Sequence, residues 1–165
     1  MSNKIDSKRI AEIKVNVLRI MVIAVMGLTL IGAVFIPGVT DKVVEKAADP
    51  ATGIVIALVT YIYLCLIPFL IALYAVKRLC DIISDGDSFS IRSLKQLSII
   101  VWCCFAEIAI NCTAALVFGL FFNFQIFILN LFLIALAGVI SVFTTVLKEL
   151  VKAAIRIREE NELTI

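Results

Sequence analysis

The chain has 165 residues, of which 62% are hydrophobic and 17% charged, and its mean hydropathy is +1.12. Soluble domains carry roughly 45–50% apolar and about 25% charged residues, so an ordinary soluble domain and a disordered chain are both excluded. The net charge of +2 is too small to steer the whole chain to a polyanion, which excludes direct nucleic-acid binding, and the absence of histidine removes the commonest acid–base group and metal ligand.

A bilayer core about 30 Å thick is crossed by roughly 20 mostly apolar residues in a helix. Four segments meet that requirement. The first covers about 17–36 and is expected to stop at Pro37-Gly38. The basic region before it is long, and no A-x-A site follows, which speaks against a cleaved signal peptide. Ile10, Ile13 and Val17 share one helical face among Lys8, Arg9 and Lys14, a pattern expected of a helix lying along the membrane surface. The second span covers about 53–76, where Pro68 removes one backbone hydrogen bond. The third covers about 97–121. The uncharged stretch after Glu107 is too long for one crossing, so a turn is expected at Phe122-Asn123-Phe124-Gln125, with the fourth span at about 126–147.

All fifteen basic residues except Lys42 and Lys46 fall before or at the very start of span one, between spans two and three, or after span four. Basic loops stay in the cytoplasm. The expected fold is therefore all-α, an integral membrane four-helix bundle in the cell membrane with both termini cytoplasmic, forming one membrane domain over 1–165. Cys65, Cys103, Cys104 and Cys112 lie in spans and Cys80 in a cytoplasmic loop, so no structural disulfide is expected.

Between spans two and three lies a cytoplasmic corner, 77–96. Helix is expected to continue to about Ser84 and to end in a left-handed cap at Gly86. Ser90 is the expected N-cap of the next helix, with Phe89 and Leu94 as its hydrophobic staple. Asp81, Asp85 and Asp87 lack the remaining ligands of a calcium loop, and no cofactor is expected. The tail, 148–165, should extend span four as a helix. Leu147, Leu150, Val151, Ala154 and Ile155 form an apolar stripe, with Arg156–Glu160 and Arg158–Glu162 as i, i+4 pairs.

Glu107 lies about ten residues into span three, roughly 15 Å deep. An intramembrane carboxyl costs at least about 2.5–3.5 kcal/mol and marks a functional candidate. Cys104, Glu107, Asn111 and Ala114 follow helical spacing as one polar or small stripe. Asn130, Ala137, Ser141 and Thr145 form its counterpart on span four, with Asn111 and Asn130 at similar depth. Two readings follow for Glu107. In one it is a neutral acid hydrogen-bonded inside the bundle, with Tyr61, Tyr63 or Thr29 as candidate partners. In the other it belongs to a proton or cation relay, which other ionisable groups along a path would normally accompany.

The corner sequence Asp87-Ser88-Phe89-Ser90-Ile91-Arg92-Ser93-Leu94-Lys95 resembles the "PF…N…LK" loop of a bacterial membrane family catalogued as domain of unknown function 2975. The ending Arg158-Glu159-Glu160-Asn161-Glu162-Leu163-Thr164-Ile165 is similar to the family's "EENDLTI" tail, with Glu162 in place of the usual Asp. Ser88 stands where the loop pattern has Pro, and serines stand where it has Asn. The resemblance implies a four-span layout over nearly the whole chain, in a family with no established enzymatic activity. It also implies a partner, a small Cro/C1-type helix-turn-helix DNA-binding protein.

The leading expectation is thus a non-enzymatic membrane regulator that holds such a protein at its cytoplasmic face. Its candidate contacts are Lys77, Arg78, Asp87, Phe89, Arg92, Arg156, Glu159, Glu160, Asn161 and Leu163. The alternative is a small transporter or channel, open to homo-oligomer formation, in which Glu107 couples movement of protons or cations. A membrane enzyme is the weakest reading: there is no H-E-x-x-H and no G-x-S-x-G.

Overall fold

The computed structural model describes residues 2–46, 51–121 and 124–162. They form four helices: α1 (Ser2–Lys46), α2 (Ala51–Ser84), α3 (Ile91–Phe121) and α4 (Phe124–Glu162). Each contains a stretch long and apolar enough to cross a membrane, at Val15–Gly38, Ile56–Ser84, Ile91–Val117 and Phe127–Glu160. The protein is a multi-pass membrane protein built as an all-α four-helix bundle.

Successive helices run antiparallel. Arg19 near the start of α1 pairs with Asp81 near the end of α2, and Ala33 farther along α1 meets Tyr63 nearer the start of α2. Tyr61 of α2 in turn meets Asn111, late in α3, and Asn130, early in α4. The start of α1, the α2–α3 corner and the end of α4 therefore share one end of the bundle. Packing is serial: α1 packs on α2, α2 on α3 and α3 on α4, and among the described residues α1 meets neither α3 nor α4. The buried residues concentrate accordingly on α3, which has a neighbour on each side, and on the face of α4 turned toward it.

The apolar span of α1 ends at Gly38, as expected, but the helix that carries it is longer than the span at both ends. The helix does not stop at Pro37-Gly38 but runs through both to Lys46. Proline lacks the N–H that would bond the carbonyl four residues earlier, and here that carbonyl is Ala33. The Tyr63 hydroxyl of α2 donates to the Ala33 oxygen at 2.9 Å, replacing the lost bond from a neighbouring helix. Nor does the N-terminal segment turn to lie along the surface. It is continuous with the span from Ser2 onward, with no break between them.

The corner is built as its residues dictate. Gly86 adopts φ +81°, the left-handed conformation that costs glycine no Cβ clash. The Gly86 N–H donates to Ile83 O at 3.1 Å and the Asp87 N–H to Ile82 O at 3.2 Å, the paired bonds of a Schellman motif. Ser90 caps α3: its Oγ accepts from the Ser93 N–H at 3.4 Å, and its carbonyl accepts from Leu94 N–H at 3.2 Å. The buried Ser93 hydroxyl donates back to Asp87 O at 3.3 Å, tying the cap to the turn. Phe89 departs from expectation. It is 56% exposed, more open than its place next to the Ser90 cap suggests.

Candidate functional site

The centre of the bundle is a polar junction joining α2, α3 and α4. Asn111 and Asn130 are among the most deeply buried side chains described, at 0% and 2% exposure. The Tyr61 hydroxyl lies 2.7 Å from Asn111 Oδ1 and 2.8 Å from Asn130 Oδ1. It carries one proton and so donates to one of them at a time. Asn111 Nδ2 donates to the Glu107 carbonyl at 2.8 Å, one turn back on α3, and reaches Glu107 Oε1 at 3.4 Å. Polar groups of this kind are what hold helices together in lipid, where apolar surface gains nothing by leaving one apolar medium for another.

The sequence placed Asn111 and Asn130 at one depth, and the structure brings them together through Tyr61, which sequence reasoning had assigned only as a candidate partner of Glu107. None of the three candidates bonds the Glu107 carboxyl. Tyr61 bonds the two asparagines, Tyr63 the Ala33 carbonyl, and Thr29 the Val25 carbonyl of its own helix. Glu107 Oε2 is buried and has no hydrogen-bond partner, although the Cys65 thiol, a weak donor, lies beside the carboxyl. On α3 the predicted stripe holds, with Cys104, Asn111 and Ala114 buried. On α4 the stripe ends differently: Asn130, Ala137, Ser141 and Thr144 are buried, whereas Thr145 is turned outward. A step of three residues keeps the face toward α3 where a step of four drifts off it.

Toward the shared end of the bundle, α2 and α4 part over α3 and leave a groove of about 250 Å³. Pro68 and Val76 line it on α2, Ile100 and Glu107 on α3, and Leu133 and Ile140 on α4. Glu107 supplies its one charged side chain, at the end of the groove that abuts the Asn111 junction.

The partner-binding candidates lie at the shared end. Arg78, Asp87, Phe89 and Arg92 are exposed around the corner, and Lys77 is half-buried. Val151, Ala154 and Ile155 of the tail stripe are half-buried, while Leu150 is exposed. From Arg156 to Glu160 every residue is exposed. Arg156 Nε donates to Glu160 Oε1 at 2.9 Å, the predicted i, i+4 pair, and Ile157 stands 59% exposed between charged neighbours. Glu159 is exposed beside them. The side chain of Asn161, Leu163 and the Arg158–Glu162 pairing lie outside the described residues, as do 122–123 of the turn expected at 122–125; Phe124 and Gln125 already belong to α4, so that turn is shorter than expected. One contact had no signal in the sequence. Arg19 Nη1 meets Asp81 Oδ1 at 3.4 Å, linking α1 to the last turn of α2. The five cysteines are free thiols, and among the described residues no group of three metal-ligating side chains converges.

Comparison with known proteins extends this picture. The sequence model of the family described as protein of unknown function (DUF2975) matches residues 41–165. The chain is also similar to "Uncharacterized membrane protein YoaS" of Bacillus subtilis (strain 168), at 34% identity over 109 residues, or 64% of this chain and 68% of that protein. No solved structure matches. The family match takes in α2, the corner, α3 and α4 but only the last turns of α1, so it is narrower than the four-span resemblance implied. With the matched region spanning the polar junction, the groove and the corner, the chain belongs to the DUF2975 family of membrane proteins.

Proposed function

We propose that the protein is a non-enzymatic membrane regulator whose corner, 77–96, and α4 tail, 148–165, dock a small helix-turn-helix DNA-binding protein at the cytoplasmic face. The observation that carries this reading is the exposed end of α4. From Arg156 to Glu160 every residue is exposed, with Ile157 among charged neighbours, at the end of the bundle that also holds a corner fixed by its own hydrogen bonds. Exposed charges of both signs on this helix end can pair with a partner of complementary charge pattern. The basic residues gathered at this end support its cytoplasmic orientation, and the family resemblance supplies the class of partner. Capture at the membrane lowers the concentration of the partner available to DNA, and any change in the bundle that alters the docking face shifts that equilibrium.

The transport alternative receives less support. Toward the shared end the groove beside Glu107 is otherwise lined by apolar residues and cysteines, so no chain of ionisable groups continues the path there.

The test is affinity purification of the tagged protein from its native membrane in mild detergent, followed by mass spectrometry. Full-length protein is compared with a version ending at Ile155. A small DNA-binding protein retained by the full-length chain and lost from the shortened one is the expected result. Equal recovery with both would remove the tail from the docking face, and no such protein in either sample would overturn the reading.

A further inference from the structure

The groove between α2 and α4 combines two features that packing alone does not require. It is an apolar recess at membrane depth of about 250 Å³, and its one charged side chain, Glu107, has a buried oxygen without a hydrogen-bond partner. Glu107 lies sixteen residues past Ile91, about 24 Å along α3 from its start, and the groove extends about 12 Å along α2 from Pro68 to Val76. At its Glu107 end it adjoins the Tyr61–Asn111–Asn130 junction through the Asn111 side chain. Two other furrows, of about 520 and 480 Å³, lie between α2 and α3, and neither is lined by a carboxyl group.

A carboxyl group in lipid is costly and needs a reason to be there. Asn111 serves one of its oxygens only weakly, at 3.4 Å, and no basic side chain lines the groove to neutralise it. The complementary occupant is therefore a molecule with a compact apolar body and a single cationic nitrogen. Its body would fill the space between α2 and α4, and its N–H would donate a charge-assisted hydrogen bond to Glu107. A lipid acyl chain would satisfy the walls and leave the acid unpaired. We propose that this groove is a binding site for small lipophilic amines, with Glu107 as the group that recognises the nitrogen. The site is independent of the docking face, because it lies within the membrane span and its occupancy can be measured with no partner present.

The experiment uses the full-length protein in lipid nanodiscs and two probes of nearly the same shape, 1-aminoadamantane and the neutral 1-adamantanol. Binding is read by competition against the tritiated amine. The amine should bind saturably and at least tenfold more tightly than the alcohol. Glu107→Gln should abolish that preference, and Ala72→Phe, which fills the groove from α2, should weaken both probes. The comparison of the two probes on the unaltered protein does not depend on either variant folding. Equal affinity for amine and alcohol would overturn the proposal and leave a lipid-filled furrow, as would the absence of saturable amine binding. An amine preference that survives in folded Glu107→Gln would overturn the role of Glu107.

Discussion

Helix α1 and the unit formed by α2, α3 and α4 are similarly apolar in their spans, yet they are held in different ways. Among the α1 residues whose burial is described only Val22 is buried, and its polar contacts to α2 include an exposed ion pair, Arg19–Asp81, and the bond from Tyr63 to Ala33 O. The other three helices are joined by Tyr61, Asn111 and Asn130, with Ala114, Ala137 and Ser141 allowing close approach. In lipid, hydropathy brings a helix into the membrane but does not choose its neighbour, and buried polar and small side chains do. The residues matched by the family include α2 to α4 and omit most of α1. In this chain the three helices form one polar-joined unit, and α1 packs on its α2 edge.

Substitutions can break this contrast in order of size. Asn111→Ala removes one of the two acceptors of Tyr61 and the side-chain donor shared by the Glu107 carbonyl and carboxyl, and leaves a void at a fully buried position. It should cost about 1–3 kcal/mol, seen as a lower thermal midpoint in detergent. A loss too small to detect would mean that the junction does not hold the unit together. Gly86→Ala places a side chain at φ +81° and should cost about 1–2 kcal/mol. Faster proteolysis at the corner, with the spans intact, is the expected readout. Tyr63→Phe frees the Ala33 carbonyl and should loosen α1 by about 0.6 kcal/mol, the mean for such bonds in membranes. In a Pro37→Ala background, where α1 supplies its own hydrogen bond, the same change should have almost no effect on cysteine cross-linking between α1 and α2. Arg19→Ala should cost least, about 0.2–0.5 kcal/mol, because both partners are partly exposed, and the loss should shrink further in high salt.

How much of this was legible follows from the range of each interaction. The corner could be read residue by residue, because a Schellman turn at Gly86 and a cap at Ser90 depend on neighbours within six positions. The paired depth of Asn111 and Asn130 was legible because a short turn fixes the register of α3 against α4. That Tyr61 joins them was not, since no local pattern sets the rotation of α2 fifty residues earlier. The same lack hid the Arg19–Asp81 pair and misassigned the partners of Glu107. Pro37 was read as a stop because its local effect is to remove a hydrogen bond, and the donor that replaces it comes from another helix. Thr144 rather than Thr145 completes the buried face of α4, because helical spacing allows steps of three or four and only the packed partner selects between them.

The central functional claim is that the shared end of the bundle is a cytoplasmic docking face for a DNA-binding protein. Photo-crosslinking in native membranes tests it most directly, with a photoreactive residue placed at Phe89, at Ile157, or at Leu116 near the far end of α3. The account predicts one small DNA-binding protein joined to positions 89 and 157 and none joined to 116. An absence of protein adducts at 89 and 157, or equal adducts at all three positions, would contradict it.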